Sequence, residues 1–124
     1  MKPIKLTIKT KSHNYPIIIG TNLITNISKI LKKNSFDFRK NLIVIDKKIS
    51  KEIIMKIKKN FIMKNTYIHL FNASEINKDM NNINKILEIL LNKNFSRDDC
   101  LISVGGGITG DVSGFAASLF KRGL

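Results

Sequence analysis

The sequence has one cysteine, no tryptophan and no long apolar run. Cys100 has no second cysteine to pair with, so the chain holds no internal disulfide, which suits a reducing, cytoplasmic compartment. No apolar run reaches the roughly 18 residues that span a bilayer, and the N-terminal stretch lacks the apolar core of a signal peptide. We therefore expect a cytoplasmic protein with no membrane partner.

Acidic side chains are also scarce: there are 9 of them against 22 lysines and arginines, which gives a formal net charge of +13. Such an excess usually suggests a nucleic-acid partner. Here residues 1–64 hold 16 basic and 3 acidic residues, whereas residues 65–124 hold six of each. The lysines are scattered rather than clustered with aromatics. Lysine, asparagine and isoleucine, which dominate the chain, all have A/T-rich codons. We therefore attribute the charge to codon composition and expect no nucleic-acid partner.

Hydrophobic patterning predicts an α/β protein of one domain's length. Alternation over residues 4–10, with a second strand at 15–19, predicts an N-terminal β-hairpin, and a helix is predicted from about residue 20 to 33. The later part alternates predicted strands at 42–45, 66–71 and 100–104 with predicted helices at 49–59, 77–92 and after the glycines at 105–107. In the helix at 77–92, Met80, Ile83, Leu87 and Leu90 are expected to face inward. This order predicts a Rossmann-like parallel sheet.

Three consecutive glycines follow the last predicted strand, which we expect to be buried on both faces. Gly105, Gly107 and Gly110 satisfy G-x-G-x-x-G between a strand and a helix, a context typical of dinucleotide binding. Glycines let a ligand approach the main chain, and the helix start offers unpaired N–H groups and a positive dipole. The pattern predicts a phosphate site. The alternative is a tight turn that binds nothing.

This stretch resembles the signature of the 3-dehydroquinate synthase family. Gly105-Gly-Gly-Ile-Thr-Gly-Asp111, then Gly114-Phe-Ala-Ala117 and Arg122-Gly123, match every fixed position of G-G-G-x-x-G-D-x-x-G-F-x-A followed by R-G. Glu75-Ile-Asn-Lys78 fits the family's G-E-x-x-K segment, except that Ser74 replaces the glycine. Related sugar-phosphate cyclases share much of this block, and iron-type alcohol and glycerol dehydrogenases share the fold with a looser one.

The resemblance implies an NAD site made by Asp46, Glu75, Lys78, Gly106, Gly107, Gly110 and Asp111. Asp46 would accept hydrogen bonds from a ribose diol; the alternative is a cap for the following helix. Glu75 and Lys78 would contact the sugar or adenine side, or else form a solvated first helical turn that Ser74 could cap. Asp111 would lie on the nicotinamide side, although a carboxylate in the first turn also complements the helix dipole.

Other residues have simpler expected roles. The resemblance implies that Arg122, in the Arg-Gly pair, contacts a substrate anion and reaches into a neighbouring subunit, and its planar guanidinium suits phosphate or carboxylate. The alternative is an ordinary surface residue. Gly110, Gly114 and Ala117 form a stripe of small residues that we expect to allow close helix packing. His13 and His69 have no other ligand at a zinc-like spacing, so we expect both to be structural.

The resemblance implies an NAD- and metal-dependent enzyme of the shikimate pathway, a homodimer that converts 3-deoxy-arabino-heptulosonate 7-phosphate into 3-dehydroquinate and phosphate. The family's zinc or cobalt and its catalytic groups belong to a C-terminal helical domain that is absent here. Residues 1–124 are therefore expected to be the N-terminal NAD-binding domain of a longer enzyme, or of an eroded gene, with no catalytic residue. Two alternatives stay open: a polyol or glycerol-phosphate dehydrogenase, and a non-catalytic nucleotide-binding remnant.

Overall fold

The structure, a computed structural model, describes residues 2–62 and 64–124, except for the side chain of Arg122. The chain divides into two compact units, Met1–Asp37 and Phe38–Leu124. None of the helices in the described ranges is long and apolar enough to cross a bilayer.

The first unit contains the predicted β-hairpin. Strand β1 (Ile4–Lys9) pairs antiparallel with strand β2 (Asn14–Ile19). The prediction of one helix over residues 20–33 is wrong, because a 3-10 turn at Leu23–Asn26 precedes helix α1 (Ile27–Lys33). Asn26, the last residue of the turn and the N-cap of the helix, lies outside the helical region, with φ of −125° and ψ of 27°, so the two do not form one continuous helix.

In its described residues, the second unit is a three-stranded parallel sheet with three α-helices. Strand β3 (Lys40–Asp46) lies between β4 (Asn65–Phe71) and β5 (Cys100–Val104). Helix α2 (Lys51–Asn60) connects β3 to β4, and helix α3 (Met80–Asn92) connects β4 to β5. Helix α4 (Gly107–Leu119) follows β5 and ends in a 3-10 turn at Phe120–Arg122. The predicted α/β architecture, with a Rossmann-like parallel sheet and an N-terminal hairpin, is confirmed.

Strand β3 is the centre of this unit. Leu42, Ile43, Val44 and Ile45 are all fully buried, because β3 is paired along both edges and is apolar on both faces. The prediction that β5 is buried on both faces is wrong. Among the described residues it pairs with β3 alone, and its residues are half-buried, with Ser103 exposed.

The main core lies where helices α3 and α4 cover one face of the sheet. Its buried members are Leu42, Val44, Phe71, Ile83, Ile86, Leu90, Phe95, Val112, Ala116 and Phe120. Of the α3 residues expected to face inward, Ile83 and Leu90 are buried and Leu87 is half-buried, but Met80 is 52% exposed. Met80 is the first residue of α3, where the helix is only beginning to cover the sheet.

Helix α3 begins three residues later than predicted, because Asp79 caps it. The Asp79 carboxylate accepts hydrogen bonds from the backbone N–H of Asn82 at 3.0 Å and from the Asn82 side-chain amide at 2.8 Å. These bonds satisfy one of the N–H groups that a helix start leaves unpaired. Helix α2 is capped in the same way by Ser50.

The capping bonds make the stability of α3 dependent on pH. They lower the pKa of Asp79 below its ordinary value of 3.8, because they favour the charged carboxylate. This stabilisation is therefore present above pH 3.8 and is lost as the pH falls through the lower folded-state pKa. We expect wild type to be more stable than Asp79→Asn at about pH 6, and the difference to shrink towards pH 3.

Urea denaturation followed by circular dichroism at several pH values would measure this difference. Replacement of the exposed Asp98 by Asn controls for the loss of one negative charge. A stability difference between wild type and Asp79→Asn that stays constant from about pH 6 to pH 3 would contradict the charged-cap interpretation.

Candidate nucleotide-binding site

The carboxyl ends of the three strands lie side by side at one edge of the sheet. All but one of the predicted site residues lie there or in helix α4, which follows. Asp46 at the end of β3 is level with Phe71 at the end of β4, and Ile45 is level with Val104 at the end of β5. The order β4-β3-β5 means that the chain moves from β3 to β4 on one side and then crosses back to β5 on the other side of β3, so the direction of connection reverses. Ligands of doubly wound sheets bind at such a switch point, outside the carboxyl ends of the strands.

Gly105 begins the turn from β5 towards α4. Its φ is 153°, a conformation that favours glycine, and a Cβ there would lie 2.8 Å from Thr109 Oγ1 and 3.1 Å from Asp46 Cβ. Side-chain atoms do not approach one another that closely without a shift, so a side chain at residue 105 would displace β3 or α4. Gly105 therefore lets the end of β5 lie against both Asp46 and Thr109.

Gly106 and Gly107 leave the main chain open on the other side of the turn. Both residues are exposed, and a Cβ on either would have no heavy atom within 4 Å. Gly106 is the N-cap of α4 and carries no side chain to bond the first N–H groups of the helix. An open backbone, unpaired N–H groups and the positive end of a helix dipole together fit a phosphate or dinucleotide group.

Asp46 stands beside this turn and does not cap a helix. Its half-buried carboxylate accepts a hydrogen bond from the backbone N–H of Lys48 at 2.9 Å, while Ser50 caps α2. The alternative role of helix cap is therefore wrong for Asp46. The Lys48 ammonium, in turn, donates to the carbonyl of Ala73 at 3.2 Å and links the loops after β3 and β4.

Glu75 and Lys78 lie in a loop of consecutive turns, so their interpretation as a first helical turn is wrong. The backbone N–H of Asn77 donates to Ser74 O at 3.1 Å, and that of Lys78 donates to Glu75 O at 3.2 Å. Ser74 contributes its hydroxyl to the same turn and does not cap α3. This loop follows the carboxyl end of β4 and contains Glu75 and Lys78. It ends at Asp79, which caps α3.

Asp111 occupies the second turn of α4, as its fifth residue, and not the first turn as predicted. Its Oδ2 accepts a hydrogen bond from the Lys78 ammonium at 2.8 Å. That contact raises the pKa of Lys78, since the carboxylate stabilises the charged ammonium. The structure thus brings together two predicted site residues that lie 33 positions apart.

A cavity of about 370 Å³ opens beside this ion pair. Its lining comprises Lys78, Asp79, Met80, Ile83, Asp111, Val112 and Phe115. Sequence patterning missed the cavity, because its apolar walls come from two different helices and each wall residue has the spacing of an ordinary core position. Thr109 was missed too: it is fully buried, and among the described residues its hydroxyl has no hydrogen-bond partner.

The small-residue stripe does not pack within the described chain as expected. Gly110 and Gly114 are exposed, and an added Cβ on either would meet nothing within 4 Å, while Ala117 is half-buried. Helix α4 turns these glycines away from the sheet. The expected substrate contact of Arg122 concerns a side chain outside the described part.

Within residues 2–62 and 64–124, no three His, Cys, Asp or Glu side chains cluster to hold a metal ion. His69 lies on β4, where burial and then the charge of Lys85 lower its pKa. Burial, followed by the charge of Asp99, raises the pKa of Cys100 to about 11, so its thiol stays protonated at neutral pH. The described donor set therefore does not fit a metal centre.

Comparison with known proteins identifies what the chain is similar to. Residues 68–124 match the family model for the N-terminal part of 3-dehydroquinate synthase. The 3-dehydroquinate synthase of Pelagibacter ubique is 55% identical over 121 residues, which cover 98% of this chain and 33% of the relative. The resemblance to 3-dehydroquinate synthases is confirmed. That of Buchnera aphidicola subsp. Cinara cedri is 36% identical over 94% of the chain and 32% of its own length.

The chain thus spans about a third of the length of the curated synthases that it matches. A crystal structure of 2-deoxy-scyllo-inosose synthase complexed with carbaglucose-6-phosphate, NAD+ and Co2+ shares the fold, with a TM-score of 0.83. It is 20% identical and covers 98% of this chain and 33% of that one. At that identity, the likeness shows the fold alone.

Substitution of two neighbouring glycines in this turn should change the stability of the fold by different amounts. Gly105→Ala should destabilise the fold by roughly 1–3 kcal/mol, because it strains the backbone and drives a methyl group against Thr109 and Asp46. Gly106→Ala should change stability by less than about 0.5 kcal/mol, because its methyl group meets nothing. Urea denaturation of both variants measures the contrast, and equal stabilities would contradict the packing of Gly105.

Proposed function

We propose that this chain is the N-terminal NAD-binding part of a 3-dehydroquinate synthase. The observation that carries the proposal is the open glycine turn at the switch point, beside Asp46, in a chain that matches named synthases over nearly its whole length. The glycine geometry supports a dinucleotide ligand. The named relatives support the cyclase reaction over a polyol or glycerol-phosphate dehydrogenase.

Residues along the sheet edge would hold the cofactor. The backbone N–H groups at Gly106 and Gly107 and the α4 dipole would bind the pyrophosphate, and Asp46 would accept hydrogen bonds from a ribose diol. Glu75 and Lys78 would lie along the same edge, while Gly110 and Asp111 would lie on the nicotinamide side. Bound there, NAD would supply the transient oxidation of a substrate hydroxyl, which acidifies the neighbouring C–H bond, and the later return of the hydride.

The rest of the reaction would require groups outside the described residues. The substrate would be a sugar phosphate, 3-deoxy-arabino-heptulosonate 7-phosphate, with Arg122 binding one of its anionic groups. The ligands of a divalent metal, zinc or cobalt, and the proton-transfer groups would lie in the two thirds of the synthase that this chain does not span. The 2-deoxy-scyllo-inosose synthase that shares this fold is complexed with NAD+ and Co2+, a combination consistent with the cofactors proposed for this synthase. We also propose that the whole enzyme is a cytoplasmic homodimer.

The 124 residues alone should have no synthase activity. NAD could bind, but nothing would hold the heptulosonate against it, and positioning contributes roughly 7–11 kcal/mol to lowering such a barrier. Fusion of the chain to the remaining two thirds of the Pelagibacter ubique synthase should restore activity. The measurement is phosphate release from the heptulosonate phosphate with NAD and zinc supplied.

Either of two results would contradict this assignment. Turnover by the 124 residues alone, above a Gly107→Val control, would show that the active site lies within the chain. A folded fusion that binds NAD but releases no phosphate would instead favour the non-catalytic nucleotide-binding remnant.

Gly107→Val should weaken NAD binding at least tenfold, which is about 1.4 kcal/mol. The valine side chain would occupy the space through which the pyrophosphate approaches the main chain, while meeting no protein atom at its Cβ. Fold stability should therefore change much less than affinity. Calorimetric titration of NAD into the fusion measures the affinity, and urea denaturation measures the stability.

Gly114→Val is the matched control, because Gly114 is an exposed glycine of the same helix with equally open surroundings. It should leave NAD affinity within about twofold of wild type. A folded Gly107→Val variant with unchanged NAD affinity would remove the pyrophosphate role from this turn.

A further inference from the structure

The end of helix α4 turns the chain through a residue with a left-handed backbone. Phe120 is the C-cap of α4, and Lys121, which follows it, has φ of 43° and ψ of 44°. A left-handed residue just after a helix is usually glycine, because a Cβ makes that conformation unfavourable. A lysine in this position is therefore expected to have a contact that holds it there.

The side chain of Lys121 makes such a contact. Its ammonium donates a hydrogen bond to the carbonyl of Phe95 at 3.1 Å, and this bond joins residues that lie 26 positions apart. Phe95 is fully buried in the main core, and Phe120 is 3% exposed and belongs to the same core. Lys121 is thus held at two points, through its backbone by Phe120 and through its ammonium by Phe95.

Arg122 lies at the tip of the turn that Lys121 begins. The backbone N–H of Gly123 donates to the carbonyl of Phe120 at 2.7 Å, which closes the turn. The backbone angles of Lys121 set the direction in which the chain passes from Phe120 to Arg122. A right-handed conformation at residue 121 would direct the Arg122 backbone to a different side of the helix end.

We propose that Lys121 is a positioning residue for Arg122. Its hydrogen bond to Phe95 O holds the left-handed turn that places Arg122 where an anionic group of the substrate binds. The proposal rests on the proposed function, which gives Arg122 the contact with the sugar phosphate, and it assigns no contact with substrate or NAD to Lys121 itself. It explains why a lysine can occupy a position that favours glycine.

Steady-state kinetics of the fusion described above test the proposal. Lys121→Met keeps most of the side-chain length but removes the charged donor, so the left-handed conformation loses its tether. It should lower kcat/KM for the heptulosonate phosphate about tenfold, the effect of losing one charged hydrogen bond. It should leave NAD affinity within about twofold of wild type, because the turn and the glycines at 105–107 lie at opposite ends of α4.

A double-mutant cycle with Arg122 separates positioning from direct contact. Arg122→Met should lower kcat/KM at least as much as Lys121→Met does. In the Arg122→Met background, Lys121→Met should have almost no further effect, because the group through which Lys121 acts is already lost. Lys85→Met, a replacement of an exposed lysine of α3, controls for the general loss of one positive charge.

Two other replacements of Lys121 exclude a merely structural role. Lys121→Arg, which keeps a charged donor, should keep kcat/KM within about threefold of wild type. Lys121→Asn lacks the ammonium, but asparagine adopts the left-handed conformation more readily than most residues. It should therefore lower kcat/KM less than Lys121→Met does, and an equal loss would overturn the role of the turn.

The outcomes distinguish this proposal from the one on which it rests. If the effects of Lys121→Met and Arg122→Met multiply, Lys121 acts independently of Arg122 and the positioning role is overturned. If Lys121→Met turns over substrate as wild type does, the positioning role is overturned while the synthase assignment stands. A folded wild-type fusion that binds NAD but has no turnover would overturn both.

Discussion

Parallel hydrogen bonding of β3 to β4 on one side and to β5 on the other is the constraint on which this structure depends. It makes Leu42–Ile45 the fully buried centre of the second unit. It also brings the ends of all three strands to one edge, so that Asp46, the loop at 72–79 and the glycine turn become neighbours. No local preference of those loops would bring them together, since they are far apart in sequence.

The close contact at Gly105 follows from this pairing. With β5 beside β3, the chain must turn into α4 in a space already occupied by Asp46 and Thr109, and only a residue without Cβ fits. Gly106 and Gly107 have no such neighbours, so their lack of side chains leaves the main chain accessible from outside. One run of three glycines thus has two separate roles: packing at residue 105 and access to the main chain at residues 106 and 107.

Several lysine side chains donate hydrogen bonds to backbone carbonyls at the ends of helices or in loops. Lys40 donates to the carbonyls of Lys93 and Asn94 just after α3, Lys48 donates to Ala73 O, and Lys121 donates to Phe95 O. Carbonyls left unpaired at the end of a helix or in a loop favour such cationic donors. Part of the positive charge therefore bonds to backbone carbonyls within the second unit.

The sequence by itself determined the order of strands and helices, the parallel sheet and the position of the glycine turn. Each depends on local periodicity or on glycine stereochemistry, which a short window of residues contains. Only the tertiary structure decided that Asp79 and not Ser74 caps α3, that β5 pairs with β3 alone among the described residues, and that Lys78 meets Asp111 beside a cavity. These three features depend on how the elements pack against one another. Packing decides which residue caps a helix, how many strands pair with a given strand and which distant charges meet, so a short stretch of sequence cannot predict them.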